Sequence, residues 1–99
     1  MLKISLIDGP RECRLVLEGK LITPWAAELW TACEKARTHL DGREFVVDMK
    51  QITSISREGE EVLLQLMKQG VKFRCRDVFT RLVFKQLSRR AGQKLQEAR

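Results

Sequence analysis

Few side chains in this sequence are of a type that does chemistry, and their spacing argues against most of it. His39 is the single histidine. It sits between Thr38 and Leu40 near the end of a predicted helix, where a surface cation is mildly favoured. Cys13, Cys33 and Cys75 are far apart, and with one imidazole no zinc-binding spacing forms. There is no glycine-rich phosphate loop and no nucleophile elbow. Asp48 and Glu58 are the one pair of carboxylates that a general acid–base reading would take up. One of them ends an apolar strand and the other opens a helix, both ordinary structural placements. An enzyme, a cofactor and a metal are therefore not expected.

Binding is the better use of what remains. Ser56-Arg57-Glu58-Gly59-Glu60-Glu61 is a polar segment at a predicted helix start, where unsatisfied N–H groups favour carboxylates or a phosphate. Trp25 and Trp30 lie five positions apart on one helix and so on different sides of it; Trp25 is expected in the core and Trp30 partly exposed. Arg81, Lys85, Arg89 and Arg90 recur at roughly helical spacing. No aromatic residue interleaves with them, and neither an aromatic-rich strand nor a recognition helix after a tight turn is present. Nucleic-acid binding through Lys85, Arg89 and Arg90 is thus the minority reading.

The elements that position these residues follow from the hydrophobic pattern. With 99 residues, 43% hydrophobic and 32% charged, the chain has the balance of one globular domain. No apolar run approaches the roughly 20 residues that span a bilayer, and the first residues are too polar for a signal peptide. An odd number of widely spaced cysteines points to a reduced, cytoplasmic setting. The net charge of +6 is uneven: residues 1–70 carry 10 Lys/Arg and 11 Asp/Glu, whereas residues 71–99 carry 9 against 2. Such asymmetry marks a steering surface or a solvated helix.

Leu2, Ile4 and Leu6 alternate with Lys3 and Ser5, and beyond Asp8-Gly9-Pro10 Cys13, Leu15 and Leu17 alternate with Arg14, Val16 and Glu18, as in two antiparallel strands. Thr23-Pro24 reads as N-cap and first helical position, ahead of an apolar stripe of Trp25, Leu29, Cys33, Ala36 and Leu40 that Asp41-Gly42 ends. Phe45-Val46-Val47 is continuously apolar, as in a strand covered on both faces. A loop from Met49 to Ile55 is expected next. A second helix then begins near Ser56, buries Val62, Leu63, Leu66 and Met67, and stops at Gly70. Val71, Phe73 and Cys75 alternate with Lys72 and Arg74, which should be exposed. Asp77 caps a third helix carrying Val78, Phe79, Leu82, Val83 and Leu87. The order β β α β α β α predicts an α/β fold, a small mixed sheet covered by helices. Residues 1–92 form the domain and 93–99 a polar tail.

Residues 45–63, Phe45-Val46-Val47-Asp48 through Ser56-Arg57-Glu58-Gly59 to Leu63, resemble the central stretch of STAS domains, which include anti-sigma factor antagonists and cytoplasmic parts of sulfate transporters. Asp48, Ile52, Ile55, Gly59 and Leu63 fall in matching places. Leu17-Glu18-Gly19-Lys20-Leu21 looks like the second strand of that family. The resemblance implies a non-catalytic regulatory module that binds an anti-sigma factor or related switch protein. Its contact would centre on Thr53, Ser54, Ser56, Arg57, Glu58, Glu60 and Glu61. A further implication is an accessory subunit of a membrane transport complex, the one route to a membrane. One departure matters most. Phosphorylated members carry Asp-Ser where this chain has Ser56-Arg57, and arginine offers no hydroxyl; Ser56, one residue early, is the remaining phosphorylation candidate.

Overall fold

A computed structural model describes residues 1–91, and the polar tail expected at 93–99 lies outside the described residues. Within them the chain forms β1 (Leu2–Asp8), β2 (Glu12–Leu21), α1 (Trp25–Arg37), β3 (Glu44–Ile55), α2 (Arg57–Lys68), β4 (Lys72–Cys75) and α3 (Val78–Ala91). The strands lie in the order β1-β2-β3-β4, with β1 antiparallel to β2 and β2, β3 and β4 parallel. This is the expected mixed sheet and the expected element order.

Strand alternation divides the sheet into two faces. Cys13, Leu15, Leu17, Phe45, Val47, Met49 and Phe73 join one cluster with Leu29, Cys33, Leu63, Leu66, Phe84 and Leu87 of the helices. The helices also pack in sequence, α1 on α2 and α2 on α3. The opposite face carries Arg14, Val16 and Glu18 in register with Val46, Asp48 and Gln51. Val46 and Val47 are both fully buried, so β3 is covered on both faces as its apolar run predicts.

Several expectations need correction. The segment Met49–Ile55 is not a loop, because β3 continues through it along β2. Lys50 and Thr53 are each skipped in that pairing, at register shifts opposite Leu17/Glu18 and Gly19/Lys20. Two bulges break the alternation, so the buried residues Met49 and Ile52 stand three apart and the two-residue period disappears. Asp48 is consequently mid-strand and not at a strand end. Helix α1 ends at Arg37, earlier than Asp41-Gly42, which instead form a left-handed turn (φ 51° and 83°) into β3. Thr23 does not cap α1. Pro24 holds the cap position, the Thr23–Pro24 peptide is cis, and the Thr23 hydroxyl is turned to Glu58.

Side-chain burial departs in several places, and Trp25, expected in the core, is only half-buried against it. Lys72 and Arg74 are half-buried, Lys72 through its ion pair with Glu44. Leu64 is buried in α2 while Val62 is half-buried. In α3 the inward face is Thr80, Phe84 and Leu87, leaving Val78, Phe79 and Leu82 exposed. Asp77 sets this orientation: its carboxylate accepts the Thr80 N–H (2.8 Å) and the Thr80 hydroxyl (2.7 Å), which draws Thr80 inward. Phe84 then lies against Phe73 with ring centroids 4.6 Å apart.

Candidate functional site

The end of β3 and the start of α2 are held to the end of β2 by backbone contact. The Ser56 N–H donates to the Leu21 carbonyl (3.0 Å), and the Glu60 N–H donates to the Ser56 carbonyl (2.9 Å). The Ser56 side-chain oxygen accepts the Gly59 N–H (3.2 Å), making Ser56 the N-cap that its position predicts. Gly59 is buried where a Cβ would stand 2.4 Å from the Leu21 carbonyl oxygen. Only glycine lets the first turn of α2 lie this close to β2. At its other end α2 closes in a Schellman motif, with Val71 N–H on Leu66 O and Gly70 N–H on Met67 O and Gly70 at φ 80°.

On this frame the side chains divide. Arg57 and Glu58 are exposed at the first two helical positions. The Glu58 carboxyl is held below its ordinary pKa, first by its own backbone amide and then by the Thr23 and Ser56 side chains. Glu60 and Glu61 are both engaged by Arg90 of α3 (3.5 and 2.9 Å). Arg90 is therefore turned toward α2. Thr53 and Ser54 belong to β3 and not to a loop: Thr53 is an exposed bulge residue whose hydroxyl donates to the Gly19 carbonyl (3.4 Å), and half-buried Ser54 pairs with Lys20. Thr53, Ser54, Ser56, Arg57, Glu58, Glu60 and Glu61 thus occupy one continuous stretch at the C-terminal end of the sheet.

The other residues with chemistry lie elsewhere. His39 is exposed beyond the C-terminus of α1, and its carbonyl accepts from Arg43 (2.7 Å) just before β3 begins. That is the opposite end of the sheet from Ser56. Asp48, 1% exposed, receives two hydrogen bonds from Arg76 (3.1 and 2.7 Å), with Arg14 at 3.9 Å. The hydrogen bonds to Asp48 and its charge raise the Arg76 pKa. The Asp48 carboxylate is a structural anchor for β4 and is not paired with Glu58. None of the three cysteines is in a disulfide and all are buried, and burial pushes Cys33 up to about 12. Among the described residues no group of three or more His, Cys, Asp or Glu is placed to hold a metal ion. No helix there is long and apolar enough to cross a membrane. The signals that pattern reading lacked are the Arg90 link, which spans 29 residues of sequence, and the two bulges.

No protein-family profile and no curated protein matches this sequence. Solved structures do. The anti-sigma factor antagonist SpoIIAA in its unphosphorylated form superposes with a TM-score of 0.67 at 12% identity, over 98% of this chain and 88% of that one. An uncharacterized DUF3478-family protein from Shewanella loihica PV-4, with a SpoIIAA-like fold, gives 0.60 at 12% identity, over 98% and 84%. At that identity the likeness is one of fold. The architecture is STAS-like, as the resemblance of residues 45–63 implies.

Proposed function

We propose that this chain is a non-catalytic regulatory module that docks a switch protein of the anti-sigma factor kind through the surface from Thr53 to Glu61. The observation that carries the proposal is the fixed presentation of Arg57 and Glu58. The Ser56 cap, the Gly59–Leu21 contact and the Arg90 link hold the backbone beneath them, so docking costs little ordering entropy. The SpoIIAA-like fold supports an interaction role in general, and the reduced thiols fit work inside the cell.

The same geometry argues for binding without a phosphate switch. The Ser56 oxygen is already the acceptor for the Gly59 N–H. The next position holds Arg57, a permanent cation, where a phosphate would bring about −1.5 to −2 charges. Pull-down with an anti-sigma factor of the kinase type tests the surface: Arg57→Glu is expected to weaken capture, and unchanged capture rejects the surface. Intact mass after incubation with that partner and ATP tests the switch. No mass gain is expected; one phosphate mapped to Ser56 would reverse the reading.

A further inference from the structure

Among the described residues the sheet has two unpaired edges, the four-residue β4 and the seven-residue β1, and β1 is the longer. Lys20 N–H donates to Met1 O and Gly9 N–H donates to Glu12 O, both at 3.0 Å and both in the register that pairs Leu2 with Gly19 and Asp8 with Cys13. In an antiparallel pair, hydrogen-bonded residues alternate. Lys3, Ser5 and Ile7 therefore turn their backbone groups to β2, while Leu2, Ile4, Leu6 and Asp8 turn theirs outward. Among the described residues no strand receives them. Leu6 and Ile7, each 54% exposed, lie on this same edge. Natural edges are blunted by charge, bulges or shortness, yet β1 is unbroken over seven residues.

We propose that β1 pairs antiparallel with β1 of a second copy, about a two-fold axis at Ser5. Antiparallel neighbours keep the helix layer on one side, so even residues must face even residues. The alignment that uses every outward group puts Leu2 opposite Asp8 of the second copy and Ile4 opposite Leu6. Each such pair exchanges two N–H···O bonds, about eight in all. The alignment also sets apolar side chains together, Ile4 against Leu6 of the second copy, on the helix face.

The helix layer above that axis is shaped for the same contact. Between α1 and β1 runs a cleft of about 480 Å³ whose lining includes the apolar Ile4, Leu6, Leu15 and Ala32 together with the polar Lys35 and Arg43. Ile4 also shares a cleft with Ala27, Glu28, Thr31 and Lys35, so the small middle of α1 overlies the centre of β1. A two-fold axis there crosses α1 antiparallel to its copy near Thr31. Glu28 and Lys35, both exposed and two turns apart, then each meet the other's counterpart. A contact in which each copy supplies both charges is self-complementary, as a two-fold interface requires. This surface is separate from the Thr53–Glu61 surface, and either can fail without the other.

Sedimentation velocity over micromolar to millimolar protein is expected to show a monomer–dimer equilibrium. Leu6→Lys should leave the far-ultraviolet dichroism unchanged and halve the apparent mass. Glu28→Lys should loosen the dimer, and adding Lys35→Glu should tighten it again. The register has its own readout. Two Ser5 residues face each other as a non-hydrogen-bonded pair about 4.5 Å apart, within disulfide reach. Under mild oxidation Ser5→Cys should therefore cross-link as a dimer, and Lys3→Cys, which faces Ile7 of the second copy, should not. A wild type that stays monomeric, or a dimer that survives Leu6→Lys, would overturn the proposal.

Discussion

The β4 side and the β1 side of this sheet solve the problem of an edge in different ways. β4 is short, four residues, with Lys72 and Arg74 on the face away from the helices and Phe73 packed at a tilt against Phe84 of α3. Arg76, just past its end, clamps the buried Asp48 of β3. The candidate docking surface stands between the two edges, on the ends of β2 and β3, with Arg90 of α3 reaching Glu60 and Glu61 of α2. β1 is longer, and although Arg43 holds Asp8 at its end, its apolar residues Leu6 and Ile7 are exposed beside a cleft under α1. A surface that must be presented in one geometry is built where strands and helices close on one another. The side left open is the one that a second copy can complete.

If that contrast holds, substitutions should cost most where the structure is closed. The largest effect is expected for Phe84→Ala, which removes a fully buried ring from against Phe73. A loss of about 3–5 kcal/mol in chemical denaturation is expected, and a loss under 1 would show that α3 is not part of the cooperative core. Gly59→Ala comes next. Its Cβ meets backbone, the Leu21 carbonyl, and cannot be relieved by a side-chain rotation. About 1–3 kcal/mol is expected, with weaker capture of the docking partner as the first turn of α2 is pushed from β2. Ser56→Ala removes one capping bond and should cost about 1 kcal/mol, while partner capture changes little.

Smallest of all should be Leu6→Lys, expected within about 0.5 kcal/mol in the dissociated chain because it alters an exposed residue. Urea titrations at low protein concentration, where the dimer is absent, separate this from its effect on association. A large loss there would mean that β1 is as tightly integrated as β4, and the contrast between the two sides would fall.

The acid limb offers one further check on the docking surface. The Glu58 pKa is depressed in the folded chain, so its contribution is present above the carboxylate's ordinary value of 4.5 and is lost as pH falls through the folded one. Glu58→Gln should therefore lower stability slightly at neutral pH and flatten its loss between about pH 5 and pH 3, so that the two chains converge at the acid end. Because Glu58 is exposed, the effect should also shrink with added salt.

What was legible in the sequence is what depends on neighbours along the chain. Alternation in Leu2–Leu6 and Cys13–Leu17, the apolar run Phe45–Val47, the Ser56 cap, the Gly70 stop and the Asp77 cap all rest on contacts within a few residues, and each is present. They suffice to order the elements as β β α β α β α and to imply a mixed sheet. The length of β3 was not legible. Two bulges reset its alternation, and only the parallel partner β2 supplies the hydrogen bonds that keep Met49–Ile55 extended. Nor did local pattern decide which apolar residues of α3 turn inward, because Val78, Phe79 and Leu82 are as hydrophobic as Phe84 and Leu87. The Asp77–Thr80 bond and the Phe73 ring made that choice. The candidate site shows the same division. Its residue types and helix-start position came from the chain itself; its fixed geometry came from Leu21 and Arg90, brought to it by the sheet and by α3. Contacts that span tens of residues leave no periodic trace, so their partners are set only when the layers close.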